Sequence, residues 1–206
     1  MEIDGKVAVV SGAASGTGRA AVLALAVRGA KVVVADVDED GGRKTVEMAG
    51  AKGGTAAFRR CDVTKTEDFG SALDWAVEHL GRFDIPFHNA GISGEDLFAD
   101  EPGHWARIID INLTAVIDAT RLAVRKMRLT SNAGVIINTA SLIGLWPMAS
   151  APVYAAARAG VVNFSQSLAY LAEESNIRVN AICPEIVDTD GTWSRRGEPG
   201  GVAHSG

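Results

Sequence analysis

Twelve residues near the N-terminus, Val7-Ala8-Val9-Val10-Ser11-Gly12-Ala13-Ala14-Ser15-Gly16-Thr17-Gly18, restrict the fold more than any other stretch. Four apolar residues read as a buried strand. Three glycines then permit a tight turn with no side chain in the way, and an alanine-rich helix follows. A strand, a Gly-rich turn and a helix start aim several backbone N–H groups, and the positive end of the helix dipole, at one spot. That spot suits a pyrophosphate. The spacing Gly12-x-x-x-Gly16-x-Gly18 is looser than G-x-G-x-x-G, and a structural turn has the same composition. Its context in the chain therefore decides its meaning.

The context is an alternation of strands and helices. Val7–Val10, Lys31–Asp36, Thr55–Cys61, Asp84–Asn89, Gly134–Thr139 and Arg178–Ile182 read as six strands. Helices are expected over 19–28, 39–48, 105–129 and 154–175, with Thr64-Lys65-Thr66-Glu67 as a capping box opening another that runs to about Leu80. Such alternation implies an α/β fold with a parallel sheet covered by helices on both faces, doubly wound, binding its ligand at the C-terminal edge of the strands. Residues 1–190 read as a single domain. Residues 191–206 are rich in Gly and polar residues without hydrophobic period, and read as a disordered tail.

Composition removes several functions. Twenty Lys and Arg against 25 Asp and Glu give a net charge of −5, so no broad basic face for nucleic acid is expected. The longest apolar runs are strand-sized, short of the ~20 residues that a membrane helix needs. The acidic start, Met1-Glu2-Ile3-Asp4, lacks a signal-peptide pattern, and a cytoplasmic location is expected. Cys61 and Cys183 each lie beside a strand and read as small buried thiols rather than a disulfide framework. No His/Cys cluster has metal-ligand spacing, so no metal is expected.

Asp36 ends the second strand, near the spacing at which an acid meets the adenosine ribose. A carboxylate there accepts from two free hydroxyls and repels a 2′-phosphate. The next residue is Val37 rather than Arg, which favours NAD over NADP. The plainer alternative is a solvated acid at a strand end.

With the glycine turn, Asp62-Val63, Asn89-Ala90-Gly91, Asn112 in Ile111-Asn112-Leu113, Ser141 after the fifth strand and Tyr154 at the start of a helix, the chain resembles the short-chain dehydrogenase/reductase family over almost its whole length. The segment from Gly134 to Cys183 is most similar to NAD-dependent members of the 15-hydroxyprostaglandin dehydrogenase type. The resemblance implies a Rossmann domain with NAD held by Gly12, Ser15, Gly16, Thr17, Gly18, Asp36, Asp62, Val63, Asn89, Ala90, Gly91, Tyr154, Arg158, Pro184, Val187 and Thr189. It implies a catalytic set of Asn112, Ser141, Tyr154 and the residue four after the tyrosine. Tyr154 would be the general acid/base, Ser141 would hold the carbonyl oxygen, and Asn112 would order a helix carbonyl and a water. A free phenol has a pKa of about 10, so a cation one helical turn on is needed to favour the phenolate. Taken singly, Tyr154, Ser141 and Asn112 also read as a packing tyrosine, a loop serine and a helix-start polar group.

Five features depart from the family. The residue after one turn is Arg158 instead of lysine: the charge stays, but a guanidinium is bulkier and cannot give up its proton. Pro86 lies inside the fourth strand, where proline is expected only at edges or bulges. His88 stands where another asparagine is usual. Cys183-Pro184-Glu185 replaces the usual Pro-Gly, and the chain as given is expected to lack the family's last strand and substrate lid. The apolar loop Leu142–Met148 reads equally as substrate lining and as core or subunit contact. The function expected is NAD(H)-dependent interconversion of a secondary alcohol and a ketone, with a homodimer built on the two long helices. A catalytically impaired nucleotide-binding scaffold is the alternative.

Overall fold

The elements run β1 (Val7–Ser11), α1 (Gly16–Val27), β2 (Lys31–Asp36), α2 (Glu39–Ala51), β3 (Thr55–Arg60), α3 (Thr66–Leu80), β4 (Ile85–His88), α4 (His104–Ile109), a π-turn (Asp110–Thr114), α5 (Ala115–Leu129), β5 (Gly134–Thr139), a short 3-10 turn (Leu142–Gly144), α6 (Pro152–Ser167), α7 (Leu171–Ser175) and β6 (Ile177–Ile182). The computed structural model describes residues 2–93, 103–130, 133–185 and 187. The strands form one parallel sheet in the order β3-β2-β1-β4-β5-β6. β1 pairs with β2 from Val7↔Lys31 to Ser11↔Ala35, and with β4 from Ala8↔Ile85 to Val10↔Phe87. The winding direction reverses between β1 and β4, which opens a crevice beyond their C-terminal ends.

β1 is buried at every position because helices cover both faces of the sheet. Val7 and Val9 pack on one side with Phe69, Leu73, Phe83, Met127 and Ile136. Ala8 and Val10 pack on the other with Val22, Val32, Val34, Ile85 and Phe87. This period-two split explains why the strand reads as a continuous apolar run rather than an alternating one.

The structure corrects several sequence expectations. The long helix expected over 105–129 is present as a continuous helical run from His104 to Leu129, but it carries a π-turn at Asp110–Thr114 that contains Asn112. The helix expected over 154–175 begins at Pro152, whose missing N–H costs nothing in a first turn, ends at Ser167, and resumes as α7. Thr64 does not cap α3. The cap position is Lys65, with no side-chain cap bond, and Thr64 instead turns back on Asp62, its hydroxyl and N–H donating to Asp62 Oδ1 at 2.7 and 3.1 Å. Asp62 wins because an Asx turn is as local as the helix cap it displaces. Pro86 sits in a central strand, paired with Val9, not at an edge. β4 is accordingly short, and its ladder to β5 begins only at Phe87. Cys61 is buried but Cys183 only half-buried. Thr189 and the expected tail at 191–206 lie outside the described residues.

No helix among the described residues is long and apolar enough to cross a membrane. Among those residues no group of three or more His, Cys, Asp or Glu is placed to hold a metal ion.

Candidate active site

At the C-terminal ends of the strands lies a cleft of about 1140 Å³. Its floor starts at the turn after β1. Gly12 takes φ +63, and a Cβ there would lie 2.6 Å from Ala90 Cα, so the turn sits directly on the backbone after β4. Gly18 packs under the same turn, where a Cβ would collide with the Gly12 carbonyl and lie 2.7 Å from Asn89 Nδ2. No side chain caps α1 and no acid lies in its first turn, so its positive end opens at Ser15, Gly16 and Thr17 onto the cleft.

Three polar bridges fix this wall. Ser11 Oγ accepts from the N–H groups of Asn89 and Ala90 at 3.0 and 3.3 Å. Asn89 Nδ2 donates to the Gly12 carbonyl at 3.2 Å, and Thr139 Oγ1 donates to Asn89 Oδ1 at 3.4 Å. Asp36, at the end of β2, accepts from Ala14 N–H at 2.9 Å with one oxygen and from Asp38 N–H at 3.0 Å with the other. A carboxylate has about four lone-pair sites, so two remain for hydroxyl donors. Val37 beside it is exposed and lines the cleft with an apolar side chain. Asp62 lies on the same side, its carboxyl held below the ordinary range by the Thr64 hydroxyl. Cys61 lines the cleft too, but burial pushes its thiol up to about 12, which keeps it protonated and unreactive.

The other end of the cleft collects Ser141, Tyr154, Arg158, Pro184 and Val187. Ser141 Oγ donates to the Pro184 carbonyl at 3.5 Å and accepts from Ile143 N–H at 3.3 Å, two long bonds that leave the hydroxyl loosely held. Arg158 follows Tyr154 by one turn of α6. It is only 4% exposed, and its Cζ lies 5.0 Å from the centroid of the Tyr154 ring. Its Nη1 donates to the Thr139 carbonyl at 2.7 Å, whereas its buried Nε has no partner. Gly91 makes room for the guanidinium, since a Cβ there would collide with Nη2 and lie 2.8 Å from Asn112 Oδ1.

Asn112 stands behind the wall and does not line the cleft. It is fully buried, donates to the carbonyls of Ile108 and Ile92 at 2.9 Å each, and accepts from Ile92 N–H at 3.2 Å. The Ile108 carbonyl lies one turn before Asn112, just ahead of the π-turn. Asn112 thus stabilises the turn and ties the segment after β4 to it.

Of the residues singled out in the sequence, Gly12, Ser15, Gly16, Thr17, Asp36, Asp62, Val63, Asn89, Ala90, Gly91, Ser141, Tyr154, Arg158, Pro184 and Val187 all line this one cleft. Gly18 and Asn112 support it from behind, and Thr189 lies outside the described residues. The loop residues Leu142, Ile143 and Met148 line it as well, while Leu145 and Trp146 are exposed. Sequence reasoning missed Thr64, Ser93, Arg107, Asp110 and Thr139. Arg107 and Asp110 were legible as charges one turn apart on the helix that carries Asn112. Thr139 anchors Arg158 through its backbone carbonyl, which no side-chain pattern announces.

Comparison with known proteins agrees with this architecture. A family model for the short chain dehydrogenases matches residues 6–199. The human 15-hydroxyprostaglandin dehydrogenase [NAD(+)] is 38% identical over 198 residues, covering 92% of this chain and 71% of that protein. Cyclohexanol dehydrogenase of Acinetobacter sp. (strain SE19) is 35% identical over 190 residues, covering 91% of this chain and 75% of that protein. The crystal structure of a short chain dehydrogenase/reductase from Burkholderia phymatum in complex with NAD superposes with a TM-score of 0.88 at 32% identity, covering all of this chain and 74% of that one. The chain belongs to the short-chain dehydrogenase family.

Proposed function

We propose that this protein is an NAD(H)-dependent oxidoreductase that interconverts a secondary alcohol and a ketone. The observation that carries the reading is a single cleft running from the uncapped start of α1, past Asp36, to a wall formed by Ser141, Tyr154 and Arg158. The cleft fits a dinucleotide. Gly12 and Gly91 are bare where a side chain would collide, and Arg158 presents a buried Nε without a partner. Ser15, Gly16 and Thr17 would hold the pyrophosphate, and Asp36, Asp62 and Val63 the adenosine. Asn89, Ala90, Gly91, Tyr154, Arg158, Pro184, Val187 and Thr189 would hold the nicotinamide half. When bound, the nicotinamide supplies a hydride acceptor or donor. The relatives named above as NAD-dependent and as acting on cyclic or hydroxylated substrates support the same reading.

This chain's own residues handle the proton. Tyr154 Oη gives a proton to the ketone oxygen or takes one from the alcohol. The Arg158 guanidinium stands 5.0 Å from the centroid of the Tyr154 ring, a positive charge beside the group that moves the proton. Ser141, with only two long hydrogen bonds, turns its hydroxyl toward oxygen as charge develops there. Asn112 positions the backbone behind this wall. One observation favours the alternative, a nucleotide-binding scaffold of low turnover: Arg158 Nη1 is already committed to the Thr139 carbonyl, and a guanidinium passes no proton.

The two readings part in one experiment. NADH and NADPH are titrated by fluorescence, and secondary alcohols are then screened for NADH production. Turnover supports the oxidoreductase, and tight NADH binding without turnover supports the scaffold. Affinity for NAD is expected to exceed that for NADP by at least about tenfold, a ~1.4 kcal/mol difference, because a 2′-phosphate would meet the Asp36 carboxylate. Asp36→Ala is expected to narrow the gap. Equal affinities in the unaltered protein would remove the assignment of Asp36.

We also infer a homodimer through α5 and α6. On α6, Ala155 and Ala157 are buried within the subunit, and Gly160 packs on Leu113. The exposed Ala156 and Ala159 remain as small contacts on α6, and Ile117 is exposed on α5. Light scattering at micromolar concentration is expected to give twice the chain mass, and a monomer would refute the contact.

A further inference from the structure

Glu185 is a carboxylate at the reacting end of the cleft. The segment that carries it is tied to the loop after β5, where the Pro184 carbonyl accepts from Leu142 N–H at 2.9 Å. Glu185 lines the same cleft as Ser141, Tyr154 and Arg158, and it is exposed. Among the described residues no ion pair involves it. Arg158, the buried cation on this wall, has its Nη1 on the Thr139 carbonyl. A carboxylate with no ion-pair partner among the described residues therefore lines the cleft, with the Arg158 and Arg107 cations on the same lining, where the proposed reaction changes the charge of its cofactor.

Resting on the function proposed above, we propose that Glu185 biases the cleft toward the oxidised cofactor. The pyridinium ring of NAD+ carries a positive charge, and the dihydropyridine ring of NADH carries none. A nearby carboxylate attracts the first and is indifferent to the second. In ketone reduction the hydride passes to the carbonyl carbon, a proton passes from Tyr154 to the oxygen, and NAD+ remains. Favouring that product form shifts the equilibrium on the enzyme toward the alcohol. Glu185 thus weights the equilibrium between the two bound forms, leaving the equilibrium in solution unchanged, a property separate from which alcohol the pocket admits. The effect is modest, because water reaches the carboxylate and screens it.

The test is the affinity of NAD+ and of NADH, each measured by calorimetry without substrate, for the unaltered protein, Glu185→Gln and Glu185→Asp. Glu185→Gln keeps the shape and removes the charge. It is expected to weaken NAD+ by roughly threefold while leaving NADH unchanged, so that the ratio of the two affinities shifts. Glu185→Asp is expected to keep the ratio of the unaltered protein. Raising the salt concentration is expected to shrink the difference between the unaltered protein and Glu185→Gln. If both forms bind and the ratio is the same in all three proteins, the role of Glu185 is overturned while the dinucleotide cleft stands. If neither form binds the unaltered protein, the underlying function falls and this inference falls with it.

Discussion

Tyr154→Phe is expected to lower turnover on any secondary alcohol that the protein accepts by about two to four orders of magnitude, the usual worth of a positioned acid/base. The substitution removes one oxygen and keeps the ring over which the Arg158 guanidinium lies. NADH binding is therefore expected to stay nearly unchanged, which separates lost chemistry from a lost fold. Steady-state rates and a fluorescence titration of the same variant check both halves. Full activity in Tyr154→Phe would show that another group moves the proton. Arg158→Lys is expected to act in the opposite direction. A lysine ammonium has three freely rotating donors on a flexible stem, whereas the guanidinium is a rigid fork held on the Thr139 carbonyl. Releasing that hold and restoring a group able to pass a proton raises the rate.

What the sequence made legible was whatever depends on local spacing. The six strands, the Gly-rich turn and the i, i+4 relation of Tyr154 to Arg158 all follow from periods of two and 3.6, and the structure places them within a residue or two. Convergence was legible as well, since the doubly wound fold sends every strand's C-terminal end to the same edge. The rest was set by competition between local bonds or by contacts between distant backbone atoms. Thr64 satisfied a capping pattern, yet Asp62 took its hydroxyl. Asn112 looked like part of a regular helix, but its side chain holds the Ile108 carbonyl and a loop twenty residues away. Pro86 argued against a central strand, but β4 keeps it by registering with β5 only after it. Arg158 found its place through the Thr139 carbonyl and the bare Cα of Gly91, neither of which side-chain chemistry encodes.

His88 raises the second large expectation, a loss of stability in mild acid. The residue closes β4 with 3% of its surface exposed, its ring edge-on to Phe69 at 4.9 Å. Neither ring nitrogen has a hydrogen-bond partner, and burial pushes its pKa down from the ordinary 6.5 to about 3. The native state therefore holds the imidazole neutral, while the unfolded chain takes up a proton below pH ~6.5. Unfolding is then favoured by about 1.4 kcal/mol for each further pH unit, until the native histidine itself titrates near 3. Between pH 7 and pH 5 this one group is expected to remove on the order of 2 kcal/mol, a large share of the 5–15 kcal/mol typical of a folded domain. The depressed carboxyl of Asp62 keeps its stabilising contribution above its unfolded value of about 4 and loses it only as pH falls below that, so it does not enter the pH 7 to pH 5 interval. His88→Asn, which cannot titrate, is expected to flatten the pH 7 to pH 5 loss by that amount. His88→Gln serves as a second non-titrating variant should asparagine pack poorly. Urea unfolding at both pH values measures the difference, and an equal loss in the variants and the unaltered protein would place the acid sensitivity in another group.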